Sequence, residues 1–473
     1  MRFLFAPTLL PFLLVGAAIA IPRNGDTTPK TTVLERDVVI VGGGSSGTYA
    51  AIRLKDEGLK VVVVEKEDVL GGHADTYIDP DTGIPINMGV VVFHDLAIVR
   101  EYFGRMNVSL APVKGGNTST QYYDFATGRA VPAFQPASES QFGQALQKYG
   151  TVLEKYPYLS VSLEDLPYPV PEELLVSFSE FIETNGLEDV VQLINSLSQC
   201  NGELWKRPAI YGVKGLGLAL LQAVQKGFIN AESGDNNDLY RAAQKHLGDD
   251  VVYNAVIESI DRSGHGISVR VNTPGGKVIV KAKKLLVAIQ PTKENLKGIG
   301  LKLTPEEANI FGKFESFFYG SAVFTHEGLD PDKSYNNIGT NTPFNLLTLP
   351  GAYSYHTFTG TNKVQTYFGS EDPTITKEKV TSLIKDELHR LEAEGNIEPG
   401  KAEFVFFSSH SPFHLHVDVD DIRKGFYKDL FALQAKTDTF WTGATFVEHD
   451  SSMIWTWTEK SLLPKVLRSF KDK

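Results

Sequence analysis

Cysteine is almost missing from this 473-residue chain: Cys200 is the single one, so no internal disulfide can form and the fold must rest on its core and its ligand. An excess of basic charge is missing too. The chain carries 46 Lys and Arg against 57 Asp and Glu, for a net charge of -11, and no local run of Lys and Arg is dense enough to track a nucleic-acid backbone. Nucleic acid is therefore not expected as a partner. Beyond the first twenty residues there is no apolar run long enough to span a bilayer, so no membrane contact is expected once that segment is removed. What remains, 42% hydrophobic and 22% charged, is ordinary for a globular protein, and the length suffices for two sizeable cores.

Residues 1–20 read as an export signal. Arg2 precedes an apolar run from Phe3 to Ile19, interrupted by Pro7 and Pro11 and ending in the small-residue sequence Ala18-Ile19-Ala20. A membrane anchor is the alternative, and the two prolines argue against it. Cleavage after Ala20 and a secreted mature chain are expected, and Asn107-Val-Ser109 and Asn117-Thr-Ser119 are then glycosylation sequons. Residues 21–35 are polar, with two prolines, and read as a flexible lead.

The chain is organised around Asp37 to Glu65. The apolar run Val38 to Val41 enters the turn Gly42-x-Gly44-x-x-Gly47, helical spacing follows from Ser45, Gly58 stops it, and Val61 to Val64 begin a second strand. This β-α-β unit predicts a dinucleotide site. Gly42 permits the tight bend, Gly44 leaves room for a pyrophosphate, and Gly47 lets helix and strand pack closely. The helix start at Ser46 turns N–H groups toward the phosphates. Glu65, 23 residues after Gly42, is placed to accept hydrogen bonds from a ribose 2′-OH and disfavours a 2′-phosphate there.

Five residues after Glu65 comes Leu70-Gly71-Gly72-His73, a second glycine pair that a plain nicotinamide site does not need. With GGGSSGTYAAIRL and VVVEKED, it resembles the FAD-dependent oxidoreductases related to flavin amine oxidases, and within them the fungal β-cyclopiazonate dehydrogenase group. The resemblance implies an α/β fold: a discontinuous Rossmann-type FAD-binding domain over 36–100, 210–300 and 425–470, and a mixed α+β substrate cap over 101–209 and 301–424. It implies FAD contacts at Gly71, Gly72 and His73, at the backbone of Gly89 and Val90 beside the flavin, at the backbone of Val256 near the adenine, and at Gly443-Ala444. It further implies that a helix beginning near Ser451 and Ser452 stabilises the reduced ring. His73 stands where the family commonly has arginine.

Between these motifs, helical patterns are read over 172–183, 187–199, 215–227 and 376–394, and strands over 84–93, 251–260, 266–272, 277–280, 284–289, 317–324, 353–358, 364–368 and 404–407. His410, His414 and His416 alternate on a strand, yet no carboxylate-rich context joins them and no metal site is expected. By the resemblance, Phe324 falls where many flavin amine oxidases keep a lysine near the flavin. Proton removal then passes to His449, next to Asp450, or to His94, whose neutral rings accept protons near pH 7. The expected function is hydride removal from a small organic substrate, a secondary metabolite or an amine. A flavin-dependent desaturase or oxidative cyclase and a non-catalytic flavin-binding protein are the alternatives.

Overall fold

The computed structural model describes residues 31–113, 118–197, 199 and 202–471. The expected signal segment, Cys200 and the sequon residue Asn117 lie outside them, whereas Asn107 is exposed just beyond the helix Ala97–Arg105.

The β-α-β unit forms where the apolar pattern places it. Val38 to Val41 and Val61 to Val64 are each 2% exposed or less, as strands inside a parallel sheet must be, with Val38 opposite Val61 and Val41 opposite Val64. The connecting helix is Ser45–Asp56, and the chain leaves it through Gly58 in the left-handed region. One expectation changes: the lead is ordered from Thr31, because the first strand is Thr31–Val41 and its outer half pairs with Lys277 to Ala282.

That partner is one strand, Gly276–Val287, rather than the two short ones read from sequence. Lys281 and Lys283 point outward between buried neighbours and Lys284 is held inside by Asp438, 2.6 Å away, so the charged residues do not break the ladder. The sheet runs Val251–Val252, Val61–Val64, Thr31–Val41, Gly276–Val287, Gly266–Thr273, Val256–Gly264, and Thr439–Trp441 also pairs with Gly276–Val287. The expected helix over 215–227 is the single helix Leu218–Lys226, separated from a preceding helix, Ala209–Gly215, where Leu216 departs from helical geometry. The larger core joins this sheet to the helices between residues 139 and 221 and to those after Asp450.

A second, mainly antiparallel sheet of eight strands orders Glu403–Ser409, Glu315–Thr325, Lys363–Ser370, Gly351–Thr357, Lys333–Asn337, Ser119–Asp124 and Arg129–Ala130, and Phe413–His416 pairs with Glu315–Thr325. The helix Lys377–Ala393 covers one face, burying Val380, Ile384, Leu388 and Leu391 against Phe318, Phe324, Tyr355 and Phe368. The chain is thus an α/β protein with a Rossmann-type sheet and a second, mixed sheet. The segment read as a strand over 84–93 pairs only at its ends, Pro85–Asn87 and Phe93–His94. Its unpaired middle, Met88 to Val92, passes along the gap between the sheets.

Candidate active site

A cleft of about 950 Å³ runs between the two sheets, from Glu65 at one end to Tyr319 and His449 at the other. Its outer half is built by the glycine turn. Gly42 has φ +101°, and a Cβ on Gly47 would stand 1.9 Å from the Gly42 carbonyl oxygen, so helix and strand approach each other only because both are glycine. A Cβ on Gly44 would meet nothing nearer than the Gly72 Cα at 3.8 Å. The space beside Gly44 is the cleft itself. The second glycine pair closes against this turn: the Gly71 N–H donates to the Gly43 carbonyl at 2.9 Å, and Gly44 bridges Gly71.

Glu65 ends its strand buried, accepting from the Gly43 N–H at 2.6 Å and the Glu67 N–H at 2.9 Å. These bonds hold the carboxylate at the cleft edge, where its remaining lone pairs can take a ribose hydroxyl. A cradle of open glycine backbone and an acid at the strand end fit an adenosine diphosphate moiety. Glu65→Ala is expected to weaken FAD binding by roughly 1.5 to 3 kcal/mol, the range for a hydrogen bond to a charged acceptor. Titration of FAD into the two apoproteins measures it, and equal affinities would assign the ribose to another residue.

The inner half is made of rings. His73 stacks on His410 with centroids 4.6 Å apart, Tyr319 lies 4.8 Å from Phe413, and Phe413 lies 3.7 Å from His449. Tyr367 extends the column, 5.7 Å from Tyr319 and nearly parallel to it. Burial pushes the His73 imidazole down to about 4 and that of His449 to about 3, and it holds His410 well below its ordinary value. All three rings are neutral at pH 7. Both carboxylates at this end are engaged: Asp75 accepts from the Ser408 hydroxyl at 2.5 Å, and Asp450 pairs with His94 at 3.0 Å. Lys66, beside Glu65 at the outer end, is the only lysine among the described residues lining the cleft.

Several sequence expectations change here. His449 is in the cleft, but its Nε2 accepts the His414 backbone N–H at 3.0 Å. The neutral ring therefore carries its proton on Nδ1 and has no free lone pair, so it cannot serve as the base. His94 does not line the cleft; its Nε2 is bound by Asp450. The helix Ser451–Trp457 is capped by Asp450 rather than by a serine. Its carboxylate accepts from the Ser452 and Met453 N–H groups, so these are not free for a flavin, and the Ser452 hydroxyl accepts instead from the His94 N–H. Phe324 is buried against the helix Lys377–Ala393 with Phe318, whereas Tyr319, at odd spacing and so on the opposite strand face, is the residue that reaches the cleft. The strand alternation thus takes Phe324 away from the position that the resemblance implied for it. Val256, expected to act through its backbone, has its side chain in solvent at 66% exposure between Ala255 and Ile257, which line the cleft, and this leaves the backbone expectation as it was. Gly42, Gly44, Ser46, Glu65, Gly71, Gly72, His73, Gly89, Val90, Gly443 and Ala444 all line it.

Sequence reasoning missed His410, Phe413 and Tyr319. The alternating histidines were the available signal. His410 and His414 are separated by the turn at Ser411-Pro412, and His414 has φ 45°, so the regular two-residue spacing does not put the rings in one row. Among the described residues no group of three or more His, Cys, Asp and Glu side chains is arranged to hold a metal.

Residues 45–421 match the family of flavin containing amine oxidoreductases. An FAD-dependent oxidoreductase of Colletotrichum higginsianum is 36% identical over 91% of this chain and 93% of its own length. A beta-cyclopiazonate dehydrogenase of Aspergillus flavus is 33% identical over 93% of this chain and 94% of its own. The fold is shared with a fatty acid isomerase of P. acnes (TM-score 0.73, 19% identity, 91% of this chain and 98% of that one) and with putrescine oxidase (TM-score 0.61, 16% identity, 91% and 100%). With a glycine cradle that fits the dinucleotide and a family match over most of its length, this chain belongs to the flavin containing amine oxidoreductases and is an FAD-dependent oxidoreductase.

Proposed function

We propose that this enzyme dehydrogenates a neutral or weakly acidic, conjugated small molecule rather than an amine. The observation that carries the reading is the inner cleft. An ammonium substrate needs a well-charged carboxylate or a ring of acceptors, whereas here Asp450 is taken up by His94 and the Ser452 and Met453 N–H groups, burial raises the Asp75 carboxyl so that it holds a negative charge less readily, and the walls are neutral imidazoles and aromatic rings. Flat walls at Tyr319 and Phe413 favour a flat partner. The relatives with a named reaction include dehydrogenases, which supports the same direction.

The bound FAD supplies hydride acceptance. The outer half of the cleft would hold the dinucleotide through Gly42, Gly44 and Glu65, and the inner half would orient the substrate against its rings. His449 cannot take the substrate proton, so the reading requires a substrate with a group acidic enough to give that proton to solvent water at the cleft mouth, while the hydride passes to FAD. Incubating FAD-loaded protein anaerobically with a panel of phenols, enolisable diketones and primary amines tests this. Bleaching of the flavin band by the oxygen compounds alone is expected, with a product two hydrogens lighter. Bleaching by amines with release of ammonia or aldehyde would overturn it.

We further propose that the chain is exported and begins at Ile21 after processing, with sugar on the exposed Asn107. Sequencing the mature N-terminus checks both, and a full-length unglycosylated cytosolic protein would refute them.

A further inference from the structure

The ring of His449 is fixed more tightly than a packing residue needs. Its Nε2 is tied to the His414 N–H at 3.0 Å, the His449 backbone N–H donates to Glu448 at 2.9 Å, and Phe413 lies against its face at 3.7 Å. Glu448 in turn stands 3.7 Å from His414 Nε2, so one buried carboxylate holds both the histidine in the ring and the residue that sets its tautomer. His414 sits in the left-handed region at φ 45°, which costs a non-glycine residue about 1 kcal/mol or more. Surroundings that over-determine such a conformation are typical of functional sites. With Nε2 occupied, the one polar atom that His449 offers to the cleft is the Nδ1–H, and no described side chain or backbone group accepts from it.

We propose that His449 is a specificity-determining hydrogen-bond donor, which holds an oxygen of the substrate, a phenol, enol or carbonyl, through Nδ1–H at the inner end of the cleft. The inference rests on the reading above, that the cleft takes FAD and a conjugated oxygen compound. His414 and Glu448 are positioning residues: they keep the proton on Nδ1 and the ring upright. His410 stands on the other side of Phe413, 1% exposed, with a buried Nε2 that has no partner. Phe413 thus lies between two imidazoles that are both open to polar contact, which points to a ligand flat in the middle and oxygenated at its edge.

The test uses FAD-loaded protein and 4-nitrophenol, with nitrobenzene as the probe that lacks the hydroxyl, both followed by isothermal titration calorimetry. His449→Phe keeps the stack on Phe413 and removes the donor; His449→Asn keeps an N–H near the Nδ1 position. The expected result is that His449→Phe weakens 4-nitrophenol binding about tenfold, the loss of one hydrogen bond, that His449→Asn recovers most of it, and that nitrobenzene binds all three proteins alike. Equal binding of 4-nitrophenol to wild type and His449→Phe would overturn the proposal, as would an equal loss for nitrobenzene, which would mark a packing effect. A ¹⁵N spectrum of histidine-labelled protein that places the His449 proton on Nε2 would overturn it as well. Wild-type protein that cannot be loaded with FAD would instead sink the reading beneath it.

Discussion

Gly44→Val is expected to give a folded, colourless protein that does not take up FAD. Gly44 has φ −69° and ψ −174°, ordinary extended backbone that valine also adopts, so the substitution introduces no backbone strain. Its Cβ points into open cleft, 3.8 Å from its nearest neighbour, and the two methyl groups beyond it fill the space a pyrophosphate needs beside the helix start. The fold is therefore left alone while the ligand is excluded. Gly47→Val is the contrasting case: its Cβ would collide with the Gly42 carbonyl at 1.9 Å, and loss of soluble protein is expected there. Two measurements decide the matter. Visible absorbance after reconstitution reads the flavin, and thermal melting with and without added FAD reads linkage, which at a hundredfold excess over Kd stabilises wild type by about 2.7 kcal/mol and should leave Gly44→Val unmoved. A variant with wild-type flavin content would place the phosphates elsewhere.

The second large effect is acid destabilisation of the FAD-free protein between pH 7 and 5. His410 and His416 are 1% and 5% exposed. Burial, helped by Arg207 at 3.2 Å, pushes His416 down to about 3, and burial beside His73 and His449 holds His410 lower than its ordinary value. Glu315, 3.7 Å from His416, is mostly exposed and compensates little. Because both folded values lie below the unfolded 6.5, the unfolded chain binds protons that the folded one does not. The stability they contribute is complete above about pH 6.5 and is lost as pH falls from there toward the folded values, to the extent of about 2 kcal/mol at pH 5 for His416, with His410 adding in the same direction. His94 acts in the opposite sense. Its value is raised despite burial because Asp450 faces it, so its contribution is present below about 6.5 and is lost as pH rises through the folded value. Buried Glu387, raised to about 7, acts in the same sense as His94, while His73 and His449, lowered to about 4 and about 3, add to the loss. Denaturant midpoints at pH 7 and 5 should fall steeply for wild type and less for His416→Phe; a midpoint unchanged at pH 5 would contradict the assignment.

Much of the cofactor end was legible in the chain. Strand, glycine turn, helix, strand and Glu65 follow one another within thirty residues, and each is dictated by local physics: apolar runs where both faces are buried, glycine where a Cβ has no room, an acid at a strand end. Gly71-Gly72 and Gly443-Ala444 were legible by resemblance, and both lie where the cleft needs close backbone. The substrate end was far less legible. Tyr319, His410, Phe413 and His449 come from three separate segments, and their partners lie on the far side of strand pairings that no local pattern specifies.

The sequence by itself determined that this chain takes FAD and where the glycine cradle and its acid lie, because that cradle is built by backbone and by one residue at a fixed distance from it. Only the tertiary structure decided what the histidines do. Whether His449 accepts or donates a proton depends on which of its nitrogens the His414 N–H occupies. Whether residue 319 or residue 324 faces the cleft depends on which side of a strand the helix Lys377–Ala393 covers. A side chain's chemistry is set by its neighbours in space, and those neighbours are chosen by packing between segments that lie far apart in the chain.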